Sequence, residues 1–283
     1  MIAAVQPAVV AHRGASTQRA EHTLAAYALA LEQGADGLEC DVRLTRDGHL
    51  VCVHDRRVDR TSTGRGVVST LTLERMSELD YESWHLEPAE HADDLVRTHR
   101  AAPPPTPGVL TLADLLGLVA DARAGTRLFV ETKHPVRYAG LVEAKLVALL
   151  RRHGLADPPS KADSPVMVMS FSTRAVRRIR EYAPALPTVL LLTNLPPMLR
   201  DGSLPRYADH AGPAIRLLRR HPEYVARCAE RGHGTYCWTV DQPGDIRLCQ
   251  RLGVRFLATN DPAATRAVLA GGQGGTVATS PPE

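Results

Sequence analysis

Short aliphatic runs alternate with helical patterns along most of this chain, and that alternation leaves few folds open. The first run covers residues 8–11 and ends in His12-Arg13-Gly14. A helical pattern follows over 21–33, with Leu24, Tyr27, Ala28 and Leu31 on one face and Gly34 as its stop. Residues 37–44 and 50–54 read as strands joined by an Asp47-Gly48 hairpin turn. Further strands are expected at 127–131, 166–169, 188–192, 214–217, 235–240 and 254–258. Helices are expected at 112–124, 138–153, 173–182, 223–230, 244–252 and 262–269, with Ser172 as an N-cap.

About eight βα units result. Short buried strands alternating with helices imply a parallel sheet. The 283 residues are close to the ~250 typical of a closed (β/α)8 barrel, so that fold is favoured over an open sheet. The first strand leads into His12-Arg13-Gly14-Ala15-Ser16 and not into a GxGxxG turn, which disfavours a dinucleotide-binding fold. Residues 55–108 interrupt the rhythm: they are polar, with a short helical stretch at 73–79 and a proline-rich close at 103–108. They read as an insertion into a single domain spanning 1–270. Residues 271–283 are rich in Gly, Pro, Ser and Thr and read as a disordered tail.

Composition excludes several classes. The net charge of +3 from 34 basic and 31 acidic residues, without a Lys/Arg block, disfavours nucleic-acid binding. No apolar run approaches the ~20 residues of a membrane span. Residues 1–10 lack a signal-peptide pattern. Five cysteines without CxxC spacing read as buried thiols of a cytoplasmic protein. Only three of the 34 basic residues are lysines, Lys133, Lys145 and Lys161, so a lysine near a strand end stands out.

In a (β/α)8 barrel the active site lies at the C-terminal ends of the strands. Glu39 and Asp41 are two apart on one strand, so both side chains share a face. Paired carboxylates in a barrel are costly unless compensated. A hard divalent cation (Mg2+, Ca2+ or Mn2+) is the natural compensation, and Glu131 from the next unit would complete an oxygen-donor site. Neutralisation by Arg13 and Lys133 without metal is the competing explanation. His12 and His54 both end strands and flank these carboxylates. Two imidazoles can take and give protons near neutral pH, while a cation and Arg13 stabilise phosphoryl charge. That combination suits phosphodiester cleavage. Lys133 shares the parity of Glu131 and could reach a phosphate oxygen, and Trp238 could wall the pocket.

These residues resemble the glycerophosphodiester phosphodiesterase family. The resemblance rests on residues 11–15 (AHRGA), 21–27 (EHTLAAY), 34–48 (GADGLECDVRLTRDG) and 53–55 (VHD). Glu131-Thr132-Lys133, Ser170-Phe171 and Trp238-Thr239-Val240 look like the family's later strand ends, so the match runs over about 8–262. It implies a TIM-type barrel with a small insertion after the second strand. It also implies a divalent cation, Mg2+ or Ca2+, on Glu39, Asp41 and Glu131, with His12 and His54 as the acid/base pair and Arg13 as a phosphate contact. The family reaction converts a glycerophosphodiester to glycerol 3-phosphate and an alcohol. Two departures stand out: His22 replaces an asparagine that helps shape the site, and Thr259-Asn260-Asp261-Pro262 replaces Thr-Asp-x-Pro. The alternatives are a lysophospholipase D or phospholipase C-like enzyme on the same barrel, or a non-catalytic phosphoester-binding protein. Trp84, Leu86 and Leu95 lie among many charges in the insertion, which favours a soluble polar substrate.

Overall fold

The computed structural model describes residues 6–85 and 108–271. The described residues contain eight parallel strands and one antiparallel strand in a single sheet. The parallel strands are β1 (Ala8–His12), β2 (Gly37–Leu44), β4 (Arg127–Thr132), β5 (Val166–Ser170), β6 (Thr188–Leu192), β7 (His210–Pro213), β8 (Gly234–Cys237) and β9 (Phe256–Thr259). β1 pairs with β9 on one side (Val10 opposite Ala258) and with β2 on the other (Ala11 opposite Leu38), so the ring closes. The extra strand β3 (Leu50–Cys52) folds back antiparallel on β2 through the Asp47-Gly48 hairpin turn. The TIM-type barrel expected from the sequence is the fold observed.

Strand parity divides the barrel into layers. Val10, Phe129, Met167, Met169, Val189, Leu191, Tyr236, Phe256 and Ala258 fill its interior. On the same parity, nearer the C-terminal ends, stand His12, Glu39, Asp41 and Glu131. The opposite parity, including Val9, Ala11, Leu38, Val42, Val130 and Val168, packs against the helices. The site is therefore a polar layer on an apolar plug, and the plug excludes water from beneath the carboxylates.

The first helix, α1 (Leu24–Glu32), starts three residues later than its pattern suggests. His22 is left-handed (φ +60°) and Thr23 caps the helix by accepting from the Ala26 amide. The buried face is Ala26, Tyr27 and Ala30, while Leu24 is exposed. Ala26 faces inward because the 13–22 loop packs on it: a Cβ at Gly14 (φ +89°) would lie 2.6 Å from the Ala26 Cβ. The remaining helices are α2 (Leu73–Ser77), α3 (Leu112–Ala120), α4 (Leu141–Arg152), α5 (Thr173–Tyr182), α6 (Ile215–Arg220), α7 (Tyr224–Glu230), α8 (Pro243–Leu252) and α9 (Pro262–Gly271). Ser172 caps α5 as expected.

One strand assignment is corrected. Residues 214–217, read as a strand, begin helix α6, and β7 lies just before them. The His210-Ala211-Gly212-Pro213 segment carries no β-branched residue, so its strand character is not visible in composition. Glycine is needed there for packing: a Cβ at Gly212 would lie 2.7 Å from Leu191 Cδ2. Within the expected insertion, residues 55–85 and Gly108 are described, and Leu86, Leu95 and the prolines at 103–107 lie outside the described residues. So do residues 1–5 and all of the expected tail except Gly271, which closes α9. No described helix is long and apolar enough to cross a membrane. The five cysteines are free and buried.

Candidate active site

Glu39, Asp41 and Glu131 meet at the C-terminal ends of β2 and β4, where Asp41 pairs in register with Glu131. One oxygen from each lies within 4.8 Å of the other two, and all three side chains are buried. Burial and the Asp41 charge push the Glu39 carboxyl well above the usual carboxylate range. The same two causes raise Glu131 to about 8. Burial also works against ionisation of Asp41, but Lys133, His22 and Arg13 outweigh it and hold that carboxyl well below its ordinary value. Asp41 Oδ1 is buried, with Lys133 Nζ 3.2 Å away. Three hard oxygen donors this close and this buried fit a divalent cation. Lys133 and Arg13 compensate them in part: Lys133 Nζ lies 2.8 Å from Glu131 and 3.2 Å from Asp41, and Arg13 Nε lies 3.0 Å from Asp41.

Arg13 follows β1 in a left-handed conformation (φ +61°), a strained state for a non-glycine residue. Its amide donates to Glu39, and its carbonyl accepts from the amide of the equally left-handed His22. The loop between them is thereby seated against the carboxylates. Histidine, like asparagine, is enriched in this conformation, which accounts for the exchange at position 22. His22 Nε2 lies 3.0 Å from Asp41 Oδ2, and its Nδ1 lies 2.8 Å from the Tyr27 hydroxyl. A third imidazole therefore does reach the centre, but buried behind Asp41.

His12 and His54 line one pocket of about 130 Å3 with Arg13, Glu39, Glu131 and Lys133. Burial, with Arg13 adding to it, lowers His12 to about 3. Burial also lowers His54, against the pull of Asp41. His54 Nδ1 lies 2.7 Å from Asp55, whose other oxygen accepts from Arg60 at 2.6 Å. Arg60 also grips Glu21 at 2.7 and 2.8 Å, and Glu21 binds Arg13 at 3.1 Å. A chain of charges thus ties the loop carrying His54 to the loop carrying Arg13. Trp238 lies just beyond β8, donates from Nε1 to the Gly212 carbonyl at 2.7 Å, and meets Phe171 edge-on at 5.1 Å. The two rings form one wall of the pocket.

The structure therefore brings together all eight residues singled out from the sequence: His12, Arg13, Glu39, Asp41, His54, Glu131, Lys133 and Trp238. Sequence reasoning missed the partners that hold them. Asp55, next to His54 in the chain, bonds its Nδ1. Asn260, within the Thr259-Asn260-Asp261-Pro262 departure, bonds His12 at 2.8 Å and is held by Asp241. Their strand-end location was the one signal available.

A family model described as the glycerophosphoryl diester phosphodiesterase family matches residues 12–264. A Mycobacterium tuberculosis protein named probable glycerophosphodiester phosphodiesterase 1 is 50% identical over 285 residues, covering 96% of each chain. A Bacillus subtilis glycerophosphodiester phosphodiesterase is 33% identical, covering 89% of this chain and 83% of its own. Among solved structures, an Agrobacterium tumefaciens glycerophosphodiester phosphodiesterase is 25% identical with a TM-score of 0.70, covering 93% of this chain and all of its own. An Oleispira antarctica phosphodiesterase, solved with the product sn-glycerol-3-phosphate, shares the fold with a TM-score of 0.75 at 21% identity, covering 94% and 97%. With matches this long, and its polar layer at the barrel mouth, the chain belongs to the glycerophosphoryl diester phosphodiesterase family.

Proposed function

We propose that this chain hydrolyses glycerophosphodiesters to glycerol 3-phosphate and an alcohol, with a divalent cation on Glu39, Asp41 and Glu131 and with His12 and His54 moving the protons. The observation that carries this reading is the shared pocket: two imidazoles and two cationic side chains converge on buried carboxylates whose oxygens lie within 4.8 Å of one another. Mg2+ or Ca2+ suits the all-oxygen donor set, with Mn2+ as an alternative. When bound, the cation supplies a Lewis acid for phosphate charge.

The chain's own groups do the rest. Arg13 and Lys133 orient the phosphate by charge-assisted hydrogen bonds. His12, neutral and with Nδ1 occupied by Asn260, presents Nε2 as the proton acceptor for the attacking hydroxyl, whether of water or of the glycerol. His54, oriented through Nδ1 by Asp55, acts in its imidazolium form and delivers the Nε2 proton to the departing alkoxide. Phe171 and Trp238 exclude water from one side.

The small pocket volume supports a polar headgroup over a lipid chain. We take residues 1–270 as one catalytic domain with an insertion over 55–108. The five free buried thiols support a reducing, cytoplasmic setting.

A substrate panel tests the reading. Glycerophosphocholine or glycerophosphoethanolamine should yield glycerol 3-phosphate. Cleavage restricted to lysophosphatidylcholine would instead make the chain a lysophospholipase D, and binding without cleavage would make it a phosphoester-binding protein.

A further inference from the structure

A second polar pocket, of about 460 Å3, lies at the other end of the barrel. Arg127 opens β4, His210 opens β7 and Phe256 opens β9, whereas His12 and Glu131 stand near the far ends of their strands. Four cationic side chains line it: Arg127, Lys161, Arg206 and Arg255. The one carboxylate in its lining, Asp209, is already engaged by Lys161 at 2.6 Å, by the Thr188 amide at 2.9 Å and by Arg180. No carboxylate oxygen among the described residues lies within 4.0 Å of Arg127, Arg206 or Arg255.

These guanidiniums are also crowded. Those of Arg127 and Arg255 lie 5.8 and 5.2 Å from the centroid of the same ring, Phe256. Partial desolvation of its guanidinium, with the Arg127 charge adding to it, lowers the pKa of Arg255, although the residue is largely exposed. The His210 ring stands edge-on to Phe256 at 5.8 Å and is only 9% exposed, yet its Nδ1 has no hydrogen-bond partner. A Cβ at Gly234 would lie 2.7 Å from that nitrogen, so the β8 backbone packs directly on this side of the ring. Like charges held together without a carboxylate partner cost free energy that a counter-anion offsets. Guanidinium forks match phosphate oxygens, and the volume is that of a small-molecule site.

We propose that this pocket binds a multiply charged, phosphate-bearing small molecule, with Arg127, Arg206 and Arg255 on its phosphate oxygens and the His210 ring in its wall. The site is separate from the catalytic mouth and does not rest on the reading of it.

Calorimetric titration of the full chain in EDTA, with pyrophosphate as the probe, tests this. A site that persists in Lys133→Gln, which removes a phosphate contact at the mouth, is expected. Its affinity should fall about tenfold or more in each of Arg206→Gln and Arg255→Gln, both exposed positions, and stay unchanged in Lys133→Gln. In the unsubstituted protein, pyrophosphate should shift the 15N resonances of the His210 ring. The proposal is overturned by undetectable binding at millimolar pyrophosphate, by equal affinity in the arginine variants, by weakening in Lys133→Gln, or by an unmoved His210 signal.

Discussion

His12 Nδ1 lies 2.8 Å from Asn260 Oδ1, and this contact sets which face of the imidazole the site sees. Asn260 Nδ2 donates to Asp241 Oδ2 at 2.7 Å, and the Asn260 amide donates to Asp241 Oδ1 at 2.8 Å. Because the side-chain amide nitrogen is committed to a carboxylate, its oxygen must face His12. A bond to that oxygen requires the proton on Nδ1. The lone pair is then on Nε2, 4.0 Å from Glu39 Oε2 and directed toward the carboxylates.

Replacing Asn260 with leucine removes the acceptor while keeping the size. We expect kcat to fall about 10²-fold with KM little changed, because the ring loses the bond that fixes its proton. Asn260→Asp keeps an acceptor and should stay within about tenfold of the parent. Equal losses in both variants would show that the amide oxygen is not what matters.

His12→Ala and His54→Ala should each lower turnover by about 10²–10⁴-fold. Both side chains are partly exposed at the barrel mouth, so thermal unfolding should change little. Steady-state kinetics and calorimetric melting on the same samples check this. Near-parent turnover in either variant would remove that residue from proton transfer.

Glu131→Gln should weaken divalent-cation binding by about tenfold or more. The metal-free variant should melt no lower than the parent, because a carboxyl already held largely protonated is replaced by a neutral amide of the same shape. Titration calorimetry with Mg2+, Mn2+ and Ca2+ reads the first effect and a melting curve in EDTA reads the second.

Burial, with help from Arg255, lowers His210 from 6.5 to about 4. Between those values the unfolded chain holds a proton there that the folded chain does not. The contribution of His210 is therefore fully present above pH 6.5 and is lost as pH falls toward 4, by at most about 3 kcal/mol. A His210→Gln variant should show a shallower loss of stability over that window in urea unfolding. An identical slope would mean that the ring is protonated in the fold.

Most of the barrel was legible because buried parallel strands are short aliphatic runs such as Val166–Ser170 and Thr188–Leu192. Strand β7 was not, since a glycine chosen for contact with Leu191 and a proline erase the usual signal. The start of α1 was displaced by the left-handed His22, a backbone state that side-chain pattern does not encode. In the site, parity alone placed Glu39 beside Asp41, and strand ends placed His12, His54, Glu131, Lys133 and Trp238. The links from Asp241 through Asn260 to His12, and from Arg60 through Asp55 to His54, are hydrogen bonds between loops with no fixed spacing. They became visible only in three dimensions.

The most direct test of the metal-and-two-histidine site is glycerol 3-phosphate release from glycerophosphocholine by EDTA-stripped protein, measured with and without added Mg2+, Mn2+ or Ca2+. Turnover that is absent in the stripped protein and returns with a divalent cation is the predicted result. Full turnover in the stripped protein, with no response to any of the three ions, would contradict it and leave Arg13 and Lys133 as the sole compensation for the carboxylates.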